Sequence, residues 1–144
     1  MTDERKKWEE LYRATDYHCP DAAVTVKPGF SSETMARLTA GLPEKGYAFI
    51  TAWNPGSEPV ASARNLKQNS MLEKIITQKQ YIYFEAKGIP HQQGWQPEDS
   101  FLILGITRDD AAALGREFNQ RAILYGRGAE PPQLLFMEDC KETE

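Results

Sequence analysis

Two groups of residues have the types and spacing that chemistry needs. The first is the turn Trp53-Asn54-Pro55-Gly56-Ser57, with Asn65 in the segment that follows. A turn between a strand end and a helix start exposes backbone N–H groups and the positive end of a helix dipole. Asn54, Ser57 and Asn65 add hydrogen-bonding groups suited to an anionic or amide-bearing ligand, and Trp53 adds an apolar wall. The competing reading is local: polar turn residues commonly bond only their own backbone. Glu58 opposes an anion, and no lysine follows in the position a P-loop requires. The second group centres on Glu98, a carboxylate at the entrance of the apolar run Phe101-Leu102-Ile103-Leu104. Burial there would raise its pKa and suit it to general acid or base work; exposed, it is a solvated carboxylate or an ion-pair partner. Gln120 and Thr15 rank behind as ligand-binding candidates, and Asp16 is the residue that a carboxylate pair with Glu98 would use.

Other chemistries find less support. His18, Cys19, His91 and Cys140 lack the paired spacing of a zinc site, so neither a metal nor a cofactor is expected. The nucleophile elbow of a Ser–His–Asp hydrolase is missing. Gly126-Arg127-Gly128 reads as a turn rather than a phosphate cradle. Tyr81, Tyr83 and Phe84 read as a strand core rather than a base-stacking surface, because the formal net charge is −4 and no RNA-binding signature accompanies them. The basic run Arg5-Lys6-Lys7 is flanked by acids on both sides, which again weighs against nucleic acid as a partner.

The elements that must position these residues follow from periodicity. A chain of 144 residues with 40% hydrophobic residues suits one domain, 1–144, with a charged tail over 138–144 expected to fray. The central prediction is a strand from Gly46 to about Trp53, with Tyr47, Phe49, Thr51 and Trp53 on one face and Ala48, Ile50 and Ala52 on the other. The small face lets a helix approach, and the large face fills a core or walls a pocket. Ser57 or Glu58 is expected to cap the next helix, Val60–Lys79, with Pro59 in its first turn. Leu72, Ile75 and Ile76 form its apolar stripe; the same stripe runs back through Asn69 to Asn65, which should point inward near the turn. A strand at Tyr81–Glu85, a long loop at Ala86–Asp99, a doubly covered strand at Ser100–Ile106 and a helix capped by Thr107 come next. Ahead of them lie a helix over Glu4–Ala14, a polar exit at Thr15–Pro20, a short strand at Ala23–Val26 and a helix capped by Ser31 or Ser32. Short strands at Ala122–Tyr125 and Leu134–Met137 end the chain.

From residue 46 the order is strand, helix, strand, strand, helix, strand. That order predicts an α+β domain with a ferredoxin-like, split βαβ core, an N-terminal helix–strand–helix addition and a C-terminal strand. The charged N-terminus, the absence of any apolar run of membrane-spanning length and two widely separated cysteines predict a cytoplasmic protein without a membrane partner.

The segments Tyr12-Arg13-Ala14-Thr15-Asp16-Tyr17, Thr51-Ala52-Trp53-Asn54-Pro55 with Asn65, Glu98-Asp99-Ser100-Phe101-Leu102-Ile103-Leu104-Gly105 and Phe118-Asn119-Gln120 carry a resemblance. On them the chain resembles a family of small bacterial proteins of unknown function. The resemblance covers most of the chain and implies no activity. The residues themselves favour a binding domain for a small polar molecule or a protein partner, sited at the turn after the central strand. A hydrolase using Glu98 as general acid or base, and a pure protein-interaction module, are the alternatives.

Overall fold

In the computed structural model, which describes residues 2–54, 56 and 59–140, the central strand is β3 (Gly46–Ile50), buried at every position. Its two faces enter different cores. Ala48 and Ile50 pack against Leu72 and Ile76 of α3 (Ser62–Gln78) and Ala111 and Leu114 of α4 (Arg108–Glu117). Tyr47 and Phe49 pack against Met35 of α2 (Glu33–Thr39) and against Cys19, Val24 and Val26. The small side chains face the longer helices and the large ones fill the other core, as their sizes require. Fully burying Leu72 and Ile76 contributes about 1.5–3 kcal/mol each.

The remaining elements are α1 (Asp3–Arg13), β1 (Thr15–Cys19), β2 (Val24–Val26), β4 (Ile82–Pro90), β5 (Glu98–Leu104), β6 (Ala122–Arg127) and β7 (Gln133–Phe136). The result is a mixed α/β domain. Its strands form one sheet in the order β2-β1-β4-β5-β3-β6-β7, antiparallel at every junction. From β3 onward the strands lie as β4-β5-β3-β6, with β3 and β5 inside. Those are the two runs whose residues are apolar on both faces. Helix α1 packs Trp8 and Leu11 on Phe136 and joins α2 on the face opposite α3 and α4.

Several boundaries differ from the sequence expectation. Thr15–Cys19 is a strand rather than a polar exit, because β2 and β4 flank it and supply ladder partners on both sides. Thr15 and Cys19 turn inward, and Asp16 and His18 alternate with them. The same pairing extends β4 to Pro90, and β5 starts at Glu98, so the long loop shrinks to 91–97. Strand β3 stops at Ile50 rather than near Trp53, and β5 stops at Leu104. Helix α3 begins at Ser62 with Ala61 as its N-cap and no side-chain cap; Ser57 and Glu58, the expected caps, lie outside the described residues. The caps Ser32 and Thr107 are present, accepting from the backbone N–H of Met35 and of Asp110. In the tail, Glu138 and Asp139 pair with Arg5 at 2.6 and 2.8 Å, and Cys140 is buried; residues 141–144 lie outside the described residues. Among the described residues no helix is long and apolar enough to cross a membrane.

Candidate functional site

Where β3 stops, its backbone still needs partners. The last rung of the β3–β5 ladder joins Ile50 to Phe101. Two residues on, the carboxamide of Asn69 replaces the ladder: the Ala52 N–H donates to Oδ1 at 2.8 Å, and Nδ2 donates to the Asp99 carbonyl at 3.0 Å. The Thr51 hydroxyl donates to the same carbonyl and accepts from the Trp53 N–H at 3.0 Å. One helical turn earlier, Asn65 does the same for Asn54. The Asn54 N–H donates to Asn65 Oδ1 at 2.8 Å, and Asn65 Nδ2 donates back to Asn54 Oδ1 at 2.8 Å. Asn65 is 2% exposed. Residues 65, 69, 72 and 76 share one face of α3, so the apolar stripe that seats the helix also aims both carboxamides at the strand end.

Asn54 is the hinge of this corner. Its φ of 45° lies in the left-handed region, which asparagine tolerates better than most residues. Both of its side-chain atoms are engaged: Oδ1 also accepts from the Val60 N–H at 3.1 Å, and Nδ2 donates to Glu98 Oε2 at 3.3 Å. The corner is closed from the α4 side, where Gln120 Nε2 donates to the Trp53 carbonyl at 3.4 Å and the Gly56 N–H donates to the Asn119 carbonyl at 2.6 Å.

Beside the corner lies a cavity of about 70 Å³, between α1 and the sheet. Alternation along the strands builds its floor: Phe49 and Thr51 from β3 and its extension, Glu98 and Ser100 from β5, Gly88 and Pro90 from β4, Thr15 and Tyr17 from β1. Trp8, Leu11 and Tyr12 come from α1, Gln120 and Ala122 from the β6 side, and Trp95 from the loop after β4. Trp8 meets Trp95 edge-on, with centroids 5.5 Å apart, and Tyr17 tilts against Phe49 at 5.5 Å.

The electrostatics follow from that lining. Loss of water pushes the Glu98 carboxyl from its ordinary 4.5 up to about 7, with the Asn54 hydrogen bond pulling the other way. Desolvation, with smaller contributions from Tyr12 and Glu98, drives the Tyr17 phenol upward as well. Ser100 is 7% exposed, and its hydroxyl has no hydrogen-bond partner among the described residues. Among the described residues no lysine, arginine or histidine lines the cavity. The arrangement can therefore hold a proton on a carboxyl near neutrality, donate from or accept at the Ser100 hydroxyl, and cover a ligand with aromatic surface.

Of the residues singled out from sequence, Asn54, Glu98, Gln120 and Thr15 line this cavity, and Asn65 fixes Asn54 from behind. Thr15 also donates its hydroxyl to the Leu11 carbonyl at 2.9 Å, ending α1. Trp53 takes part through its backbone N–H and carbonyl, and the aromatic wall comes from other rings. Ser57 lies outside the described residues. Asp16 does not pair with Glu98: it alternates with Thr15 and Tyr17, hence faces the other side of the sheet, and there it meets His91 at 2.8 Å and Lys27 at 3.6 Å. Sequence reasoning missed Ser100, Tyr17, Trp8, Tyr12 and Trp95 as site residues. Ser100 carried a signal, being the polar residue two beyond Glu98 on the same strand face; Trp95 carried none beyond its place in a Gly- and Pro-rich loop.

Two measurements check this geometry. Asn65→Leu strands the N–H of Asn54, takes one of the two donors from its Oδ1 and is expected to cost about 2–4 kcal/mol in urea unfolding; unchanged or increased stability contradicts it. Glu98 binds its proton more tightly in the folded chain than in the unfolded one. Its stabilising contribution is thus complete below about 4.5 and is lost as the pH rises through about 7. Relative to Glu98→Gln, the wild type should lose on the order of 2–3 kcal/mol between pH 4.5 and 8; parallel stability curves for the two contradict it.

No curated protein and no solved structure matches the chain. A family model described as "Protein of unknown function (DUF3293)" matches residues 50–123, just over half of the sequence. The matched segment takes in the Asn54–Asn65 corner, all of α3, Glu98, Ser100 and Gln120. The chain belongs to that family of proteins of unknown function.

Proposed function

We propose that this chain binds a small polar molecule in the cavity between α1 and the sheet, with Glu98 and Ser100 as its hydrogen-bonding groups. One observation carries the reading: a desolvated carboxyl and a buried, unpartnered hydroxyl converge on the same aromatic-lined space. Buried polar groups without partners are rare in folded proteins and ask for an explanation. The volume sets the scale. By a comparable measure one water needs about 10–15 Å³, and a drug-sized pocket starts near ~300 Å³. A cavity of about 70 Å³ suits a ligand of a few heavy atoms, or one group of a larger ligand.

The same reading takes the core as ferredoxin-like, supported by the strand order β4-β5-β3-β6 around two helices. It takes the molecule as cytoplasmic, supported by two free, buried cysteines, and as bacterial, on the resemblance carried by the Thr51–Pro55 and Glu98–Gly105 motifs. A small molecule is preferred over a protein partner because the convergent polar groups lie in a recess rather than on an open face.

Gly88 provides the test. A Cβ there would meet Thr15 Cγ2 at 3.7 Å and Tyr17 Cε1 at 4.0 Å, ordinary contacts, so Gly88→Ala narrows the cavity without a clash. The variant is expected to match the wild type in stability or exceed it by up to ~1 kcal/mol, since glycine is costly inside a strand. In a thermal-shift screen of small hydroxyl-, amide- and amine-bearing compounds, some should raise the melting temperature of the wild type and not of Gly88→Ala. A screen with no such compound contradicts the proposal.

The carboxyl titrating near 7 favours a second reading, a hydrolase in which Glu98 is the general acid or base. Against a panel of chromogenic esters, amides and glycosides, that reading expects a rate with a pH limb near 7, lowered about 10²- to 10⁴-fold by Glu98→Gln. A rate that survives the substitution excludes it.

A further inference from the structure

We infer that the occupant of the cavity is a small organic ammonium ion, held by the Glu98 carboxylate within a wall of aromatic rings. This rests on the reading of the cavity as a binding site and adds the chemical class of its ligand.

Three observations give the sign of the charge. Among the described residues, Glu98 is the one carboxylate that lines the space, and no cationic side chain lines it to neutralise that charge. An anionic ligand would therefore meet a like charge out of water, an expensive arrangement. The walls carry the rings of Trp8, Tyr12, Tyr17, Phe49 and Trp95. Aromatic faces attract cations by about 0.5–1 kcal/mol at exposed sites and about 2 kcal/mol or more when water is excluded. Trp8 already behaves in this way: the Arg121 guanidinium lies 4.6 Å and the Lys7 ammonium 5.5 Å from its ring centroid.

The hydrogen-bonding inventory points the same way. An ammonium brings donors and no acceptor. The Glu98 carboxylate already takes one hydrogen bond from Asn54 and retains further acceptor capacity. The Ser100 hydroxyl, buried and without a partner among the described residues, offers lone pairs on the same face of β5, two residues away. Together they replace part of the water an ammonium sheds, and the aromatic wall covers its alkyl group.

The nearby cations stand behind the lining rather than in it, the Arg121 guanidinium and the Lys7 ammonium both lying over the Trp8 ring. Among the described residues, Tyr12 from α1 and Tyr17 from β1 are the other titratable side chains lining the cavity. Asp16 with His91, and Asp99 with Lys87, are paired on residues that alternate with the lining positions of β1 and β5. Binding should therefore follow the protonation of Glu98. With its carboxyl at about 7, an ion that binds only the carboxylate gains about tenfold in affinity from pH 6 to pH 8.

The test uses the intact protein, n-propylammonium chloride, and 1-propanol as its uncharged isostere, at ionic strength fixed with sodium chloride. Tryptophan indole N–H signals are followed by NMR at pH 6 and pH 8. Propylammonium is expected to shift the Trp8 and Trp95 signals saturably, to bind at least tenfold more tightly than 1-propanol, and to gain about tenfold from pH 6 to pH 8. Glu98→Gln should abolish the pH dependence and weaken binding at least tenfold, with its melting temperature confirming that it folds; Ser100→Ala should weaken binding and keep the pH dependence. Equal binding of alcohol and ammonium, independent of pH, overturns the charge assignment while leaving the cavity as a binding site. Signals moved by neither probe overturn the ammonium inference, and the Gly88→Ala comparison then decides the cavity itself.

Discussion

A β-strand that stops inside a protein leaves peptide groups that must still be bonded, and the rest of this structure depends on how that need is met. Beyond Ile50 the ladder to β5 gives out, and two carboxamides from α3 take over. Asn69 bridges Ala52 to Asp99 in the place of the missing rung. Asn65 engages both the backbone and the side chain of Asn54. Each is about 1 kcal/mol of net stabilisation per bond when made, and several times that when a buried partner is lost. That asymmetry fixes the register of α3 against the sheet. It also holds Asn54 in a left-handed turn with its side-chain Nδ2 directed at Glu98.

The cavity is a consequence of layering. Helices α3 and α4 close one face of the sheet, over Ala48 and Ile50 of β3, and α1 and α2 close the other. At the end of the second face, Gly88, Ser100 and Glu98 interrupt what would otherwise be apolar packing. Leucine-like residues there would fill the space and add stability. The carboxyl instead sits where water is scarce, at a cost that grows with pH. Such local losses are common where binding or catalysis needs a group held out of solvent.

Much of the fold was legible in the sequence because its signals are local. The two-residue alternation of β3, the stripe Asn65–Asn69–Leu72–Ile76, the caps Ser32 and Thr107 and the apolar run of β5 each name an element and a face. The inward aim of Asn65 followed from the stripe alone. Pairing was not legible. Thr15–Cys19 contains Asp and His at the positions that β1 leaves toward the other side, so it reads as a polar segment until β2 and β4 are beside it. The extension of β4 into Lys87–Pro90 has the same cause: Gly88 and Pro90 oppose strand formation locally, and Gly88 is recruited by β1 and β5 and Pro90 by β1. The site was half visible. Asn54, Glu98, Gln120 and Thr15 were found from polar residues near strand ends, whereas the aromatic wall comes from α1, β1 and a loop, far away in the chain. Trp53 is adjacent to the turn in sequence, whereas Trp8 and Trp95 reach the cavity only through the fold.

Everything said of the cavity depends on Glu98 being withdrawn from water while Asn54 holds it in place. The most direct measurement is a carbon-detected NMR titration of the Glu98 side-chain carboxyl in the ligand-free protein. The account predicts a midpoint near 7; a midpoint at the ordinary glutamate value of 4.5 would show a solvated side chain and contradict it.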